Sequence, residues 1–126
     1  MKVLSCIGLL LALVITAAAA DISGKWSGTL VAIGADGNPG ELNSAYMIVK
    51  QSGTTLTGSG GPDENQQWPI QNGKIAGNKI TAQVTSPDGA TYALTMTVDG
   101  DRISGDVIVT QGDQTTKGKI EFKRVP

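Results

Sequence analysis

The sequence predicts an all-β protein, an eight-stranded antiparallel up-and-down barrel, on three observations. Apolar and polar residues alternate over short stretches, and no apolar i, i+3, i+4, i+7 pattern of an amphipathic helix is found. Turn residues such as Gly, Asn and Asp separate these stretches at short intervals. The chain holds 17 glycines in 126 residues, a content that suits tight turns and bent strands.

Residues 1–20 are predicted to be a cleaved secretion signal, followed by one barrel domain over residues 21–126. Lys2 precedes an apolar run that ends at Ile15, and Ala18-Ala19-Ala20 fits the small-residue rule of a peptidase site. The run passes into alanines without an aromatic or basic flank, which favours cleavage over a transmembrane anchor. We therefore expect a secreted or periplasmic protein whose mature chain starts at Asp21.

Each predicted strand ends at its own turn signal. The first strand runs from Gly24 to about Ile33, and the others are expected over 43–51, 54–60, 67–75, 79–86, 91–98, 102–110 and 115–125, with an irregularity at Asn72-Gly73. The stretch 61–65 is expected to be a loop. Short turns make sequential strands antiparallel neighbours, and closing eight of them into a barrel removes both exposed edges. An open sandwich of the same strands is the alternative.

A short repeat supports this meander. Gly53-Thr-Thr-Leu-Thr-Gly58 is followed by Gly77-Asn-Lys-Ile-Thr-Ala82 and by Gly100-Asp-Arg-Ile-Ser-Gly105. Each copy places an apolar residue three positions after the turn glycine and a small residue five positions after it. These two side chains share one face of the strand, so the repeat indicates one hairpin pattern used several times around the barrel.

The face that alternation assigns to the barrel interior is apolar. It comprises Trp26, Gly28, Leu30, Ala32, Met47, Val49, Leu56, Gly58, Gly60, Trp68, Ile70, Ile80, Ala82, Val84, Tyr92, Leu94, Met96, Val98, Ile103, Gly105, Val107, Val109, Gly118, Ile120, Phe122 and Arg124. Arg124 is the exceptional ionisable member. Catalysis needs titratable or nucleophilic groups that converge in a cleft, so we expect a protein that is not an enzyme.

The composition excludes several kinds of site. The chain has no His, and its one cysteine, Cys6, lies in the predicted signal. The mature protein therefore lacks the residues of a Cys/His zinc site and of a Ser–His or Cys–His nucleophile pair. A net charge of −1 argues against nucleic acid as a partner. Asp99-Gly100-Asp101 and Asp106 suit a hairpin turn better than a calcium loop, and we expect neither a metal nor a cofactor.

Small residues recur on the inward face, namely Gly28, Gly58, Ala82, Gly105 and Gly118. Two interpretations of them remain open. They let strands bend and make room for the two tryptophans, or they leave an apolar cavity for a small ligand. On the second interpretation, the candidate ligand-binding residues are Trp26, Gly58, Trp68, Ala82, Tyr92 and Gly105.

Gly24-Lys25-Trp26 at the start of the first strand resembles the Gly-x-Trp opening of the calycin superfamily, which includes lipocalins, fatty-acid-binding proteins and avidins. The resemblance implies that an arginine of the last strand packs over this tryptophan, and Arg124 matches that position. It thus implies closure of one barrel end by Gly24, Trp26 and Arg124. The chain is shorter than a lipocalin and lacks the lipocalin helix, and the biotin contacts of avidins do not map onto it. It also resembles small secreted bacterial β-barrels of unknown role.

The function expected from the sequence is non-enzymatic binding of a small apolar ligand or a protein. The alternative is a protein-interaction or envelope accessory module, for example like a protease inhibitor, with a filled core and binding loops at 35–41 or 61–67. A minority alternative is an enzyme that uses the rim carboxylates of Asp99 and Asp101. We also expect that a homo-oligomer, if formed, uses the outward apolar residues Val31, Ile33, Tyr46 and Ile48.

Overall fold

The computed structural model describes residues 21–34 and 37–126, and eight antiparallel strands close into a barrel in this part of the chain. The strands are β1 (Gly24–Ile33), β2 (Pro39–Ser52), β3 (Thr55–Asp63), β4 (Gln66–Ala76), β5 (Lys79–Thr85), β6 (Thr91–Asp99), β7 (Arg102–Gln111) and β8 (Gln114–Arg124). Each strand pairs with the next along the chain. The predicted meander barrel is confirmed, and the open sandwich is wrong. The predicted signal at 1–20 lies outside the described residues.

Pairing between the first and last strands closes the sheet. Trp26 lies opposite Arg124, and the ladder continues as far as Ile33 opposite Lys117. Every strand therefore has two neighbours, and no row of backbone N–H and C=O groups is left at an open edge.

The two ends of the barrel differ. One end, called here the closed end, carries the turns at 53–54, 77–78 and 100–101 together with residues 21–23 and the last residues of the chain. The opposite end, called here the open end, carries residue 34, residues 37–38 and the connections at 64–65, 86–90 and 112–113. Side chains near the closed end are the most completely buried, with Trp26, Ile80 and Ile103 at 0% exposure. The packed part of the core therefore lies at the closed end.

Two strands extend further than the sequence suggests. β2 begins at Pro39 instead of 43, and β3 continues to Asp63. The stretch 61–65 is consequently not a long loop, as predicted, but the end of β3 and a tight turn into β4. Asp63 stabilises this turn because its carboxylate accepts hydrogen bonds from the backbone N–H groups of Asn65 (2.8 Å) and Gln66 (3.0 Å).

The irregularity predicted at Asn72-Gly73 is confirmed. The β4–β5 register shifts between Gln71 and Lys74, and Asn72 has a φ of 52°. Such a shift changes which residues of the strand face inward. Ile75 is therefore buried, although strict alternation from Trp68 and Ile70 does not place it in the core.

Candidate functional site

The closed end is sealed by a tryptophan and an arginine. The guanidinium carbon of Arg124 lies 4.5 Å from the centroid of the Trp26 ring, within cation–π distance. The Arg124 Nε donates to an Asp101 carboxylate oxygen (3.0 Å), and its two terminal nitrogens donate to the carbonyl oxygens of Ser23 and Asp21 (3.2 Å each). The structure thus places Arg124 over Trp26, as the calycin resemblance implies.

The residues before β1 complete this seal. Ile22 is 1% exposed and packs in the core cluster. Its carbonyl oxygen accepts a hydrogen bond from the Trp26 indole Nε1 (2.9 Å), and its backbone N–H donates to the Gln51 amide oxygen (3.0 Å). Ile22 is a structural residue that alternation missed because it precedes the first strand.

Above this floor the barrel is hollow. A cavity of about 380 Å³ occupies the interior toward the open end. Its wall is predominantly apolar and consists of Leu30, Asn43, Ser44, Ala45, Tyr46, Met47, Leu56, Gly60, Gly61, Pro62, Trp68, Ile70, Ala82, Val84, Tyr92, Leu94, Met96, Ile120 and Phe122. This volume lies at the small end of the range for small-molecule pockets, about 300–1,000 Å³.

The cavity reaches solvent at the open end. Leu30, Ile70, Trp68 and Tyr92 line it but are only partly buried, and Asn43 is exposed. Wall residues nearer the floor, such as Leu56 and Met96, are fully buried. The gradient from buried to exposed wall residues gives a pocket that is closed at the bottom and accessible to solvent at the mouth.

Half of the residues predicted to bind a ligand lie in this wall. Trp68, Ala82 and Tyr92 line the cavity, whereas Trp26, Gly58 and Gly105 do not. Trp26 lies in the floor of the barrel, and the two glycines lie at points where strands approach each other. Ligand binding by the six residues stays a prediction.

Close backbone approach explains Gly58 and Gly105. A Cβ atom on Gly58 would lie 2.0 Å from the carbonyl oxygen of Ile48, and one on Gly105 would lie 2.1 Å from that of Thr95. Gly58 also has a φ of 131°, a conformation that residues with a Cβ rarely adopt. The bending interpretation is therefore supported for these two glycines.

Gly60 is the glycine that borders the cavity. It is buried, has no positive φ, and a Cβ atom placed on it would meet Val84 Cγ2 at an ordinary 3.6 Å. The absent side chain at this position leaves space in the wall, between Met47 of β2 and Trp68 of β4, its partners in the register. The sequence placed Gly60 inward but gave no signal to separate it from Gly58.

An ion pair between exposed side chains fastens the β3–β4 hairpin to β1. The Lys25 Nζ lies 2.7 Å from a Glu64 carboxylate oxygen, and this hydrogen bond raises the pKa of Lys25. The Ser44 hydroxyl donates to the Pro62 carbonyl oxygen (2.9 Å), and the Gln67 amide nitrogen donates to the Tyr46 carbonyl oxygen (3.0 Å). These contacts hold the end of the hairpin against β2, whose regular pairing with β3 stops at Tyr46.

The predicted outward patch falls into two parts. Val31 lies opposite Leu42 in the β1–β2 register, whereas Tyr46 lies opposite Ser27 and Ile48 opposite Lys25. The pair of Thr29 and Ser44 separates the two parts. Leu42, which the prediction omitted, is 64% exposed. Self-association through this face stays a prediction.

Among residues 21–34 and 37–126, no group of three or more His, Cys, Asp or Glu side chains is arranged to hold a metal ion. The same residues include no helix long and apolar enough to cross a membrane. Comparison of the chain with protein-family models, curated proteins and solved structures finds no match. The barrel is consistent with a calycin-like fold through its strand order.

Proposed function

We propose that this protein is a non-enzymatic carrier or receptor that holds a small apolar molecule inside the barrel. The observation that carries the proposal is the cavity of about 380 Å³, which is apolar along its depth and opens at one end. A pocket of this kind gains binding free energy from apolar surface that leaves water, about 25 cal/mol per Å². The alternative with a filled core is disfavoured by the same cavity.

The composition of the cavity wall also argues against catalysis inside the barrel. None of the residues that line the cavity is a Lys, Arg, Asp or Glu, so no titratable carboxylate or amine is available there for proton transfer. The described carboxylates with a shifted pKa, Asp21 and Asp88, are both exposed and form local turns. A binding role therefore fits the residues better than a catalytic role.

The test is an equilibrium titration with N-phenylnaphthylamine, an uncharged fluorophore that brightens in apolar surroundings. We expect saturable binding to the wild-type barrel and strongly reduced binding to Gly60→Leu, because the new side chain occupies the cavity. Thr95→Leu on the outer wall is the matched control, since Thr95 is exposed, and it should bind like wild type. Absence of binding to a folded wild-type protein would overturn the proposal.

Export is part of the same proposal. We infer that residues 1–20 are removed and that the barrel acts outside the cytoplasm, on the strength of the apolar run and the three alanines before Asp21. N-terminal sequencing of the protein purified from its own host should return Asp-Ile-Ser-Gly-Lys. A mature protein that retains Met1 and fractionates with the cytoplasm would contradict export.

A second candidate function is self-association through the outer face of β1 and β2. Leu42 is the most exposed large apolar side chain of the described residues, and its opposite partner Val31 is also apolar. Such a pair can form the centre of a small interface. Its test is the oligomeric state of the variants described in the Discussion.

A further inference from the structure

The polarity of the cavity wall restricts which apolar molecules can enter. The wall is apolar at depth, and its polar side chains include Asn43, Trp68 and Tyr92 among the partly buried or exposed residues near the mouth. No hydrogen bond of the described residues engages the amide of Asn43, the indole N–H of Trp68 or the hydroxyl of Tyr92. These groups are uncharged and together offer both donors and acceptors.

The charges around the barrel are distributed unevenly. The described acidic residues Glu41, Asp63, Asp88 and Asp113 lie in or beside the connections of the open end, as does Glu64, which is paired with Lys25; Lys117 is the described basic residue there. Toward the closed end, the described basic residues Lys50, Lys74, Lys79, Arg102, Lys123 and Arg124 outnumber the acidic residues Asp21, Asp99 and Asp101.

The described basic side chains of β1 and β8 are paired with a carboxylate or lie on the outer face of the barrel. Lys25 is paired with Glu64 at 2.7 Å, and Lys119 is paired with Asp106 at 2.5 Å. Lys117 lies opposite Ile33 and Ile108, which alternation puts on the outer face of the barrel. Among the residues that the structure describes, no Lys or Arg lines the cavity, so an anionic ligand would find no cation partner there and would meet the carboxylates of the open end.

We infer that the cavity selects uncharged amphiphiles, molecules with an apolar body and one neutral hydrogen-bonding end, and rejects carboxylates of the same chain length. This inference rests on the proposed function and specifies its ligand class. The apolar body fills the wall between Met47 and Leu94, and the polar end meets Asn43, Trp68 and Tyr92 at the mouth. A carboxylate placed there loses water without gaining a cation partner, which costs far more than the same transfer of a hydroxyl. The carboxylates of the open end add repulsion at long range.

The test compares decanol with decanoate as competitors of N-phenylnaphthylamine at neutral pH, below the solubility limit of decanol and below the micelle concentration of decanoate. We expect decanol to displace the fluorophore with a dissociation constant at least about tenfold lower than that of decanoate. Methyl decanoate, which keeps the acyl group without its charge, should compete like decanol. Equal affinity of decanol and decanoate, or methyl decanoate behaving like decanoate, would overturn the inference.

Substitution of Asn43 at the mouth tests whether a missing cation is the reason for weak carboxylate binding. Asn43 is exposed, so Asn43→Lys can supply a cation at the mouth without burying a charge in the core. This variant should bind decanoate at least about tenfold more tightly than wild type does, because the carboxylate gains a partner. Thr95→Lys adds the same charge to the outer wall and should leave the decanol-to-decanoate ratio unchanged. If Thr95→Lys shifts the ratio as much as Asn43→Lys does, the net charge of the protein determines the selectivity. The assignment of selectivity to the mouth of the cavity is then wrong.

Variants at the two aromatic residues of the mouth test whether they form hydrogen bonds with the polar end of the ligand. Tyr92→Phe and Trp68→Phe keep most of the apolar wall and remove a hydroxyl and an indole N–H. At least one of them should raise the dissociation constant of decanol about threefold or more, the range of one lost neutral hydrogen bond, after correction for the affinity of the same variant for the fluorophore. If neither variant nor Asn43→Leu changes decanol affinity, the polar end does not lie at the mouth. Failure of the fluorophore to bind wild type contradicts the proposed function, whereas fluorophore binding without discrimination contradicts this inference alone.

Discussion

Gly58 and Gly60 lie two residues apart on β3, opposite Val49 and Met47 of β2, but Gly58 is exposed and Gly60 is buried. The structure predicts opposite responses of these two glycines to alanine. A Cβ atom at Gly58 would lie 2.0 Å from the Ile48 carbonyl oxygen and 2.9 Å from the Val49 Cα. At Gly60 the nearest atom is Val84 Cγ2 at 3.6 Å, which is ordinary contact. The first substitution must push β2 and β3 apart, whereas the second adds a methyl group to the wall of an existing cavity.

The magnitudes follow from these distances. Gly58→Ala has to relieve an overlap of more than 1 Å with backbone atoms and must hold a residue with a Cβ at a φ of 131°. Backbone strain of this kind costs about 1–3 kcal/mol, and each ladder hydrogen bond lost on separation costs about 1 kcal/mol more. We expect Gly58→Ala to lower the free energy of unfolding by about 3 kcal/mol or more. Gly60→Ala should change it by less than about 1 kcal/mol, with a gain from the less flexible unfolded chain.

The assay is urea unfolding followed by the fluorescence of Trp26 and Trp68, with both variants and wild type measured side by side. The free energy of unfolding of globular proteins is about 5–15 kcal/mol. The Gly58→Ala variant should therefore unfold at a clearly lower urea concentration than wild type. Equal urea midpoints for the two variants would refute the conclusion that Gly58 is required by close strand approach whereas Gly60 only borders the cavity.

Three further predictions follow from the floor, one loop and the outer face. Arg124→Gln should destabilise the barrel by about 2 kcal/mol through loss of the cation over Trp26, whereas Lys123→Gln on the outer face should have little effect in the same urea assay. Hydrogen bonds from Ser86 and the Ala90 N–H lower the pKa of Asp88, so its stabilisation is present above the ordinary value of 3.8 and is lost as pH falls through the lowered pKa. Asp88→Asn should thus be less stable than wild type at about pH 6, and the difference should shrink as the pH falls below 3.8. A difference that stays constant on acidification would contradict this cause. Val31→Asp or Leu42→Asp should convert any oligomer to monomer in size-exclusion chromatography, and an unchanged elution volume of a verified oligomer would exclude this face.

The fold was predictable because its signals are local. Alternation fixes the strand faces, and turn glycines such as Gly53, Gly77 and Gly100, each with a φ of 64°, mark the hairpins. Short hairpins in turn impose the meander order. The resemblance of Gly24-Lys25-Trp26 and Arg124 to calycins implied the contact that closes one end, and the structure shows that contact.

The cavity was harder to predict because it depends on contacts between strands. Gly58 and Gly60 have the same parity on the same strand, and only the position of the neighbouring carbonyl of Ile48 separates their roles. Likewise, Ile75 is buried because the register shifts at 72–73. Strict alternation of inward and outward residues does not predict such a shift. A sequence shows which residues face inward, but not how closely the strands approach or how much space remains between them.

The measurement that tests the central claim most directly is an amide NMR titration of the wild-type barrel with N-phenylnaphthylamine. If the cavity is the binding site, the largest shifts should map to its wall, at residues such as Gly60, Ala82 and Leu94, and the turn at Gly100 of the closed end should stay unchanged. Shifts confined to the outer face around Leu42, or no shifts at saturating fluorophore, would contradict the account of an interior ligand site.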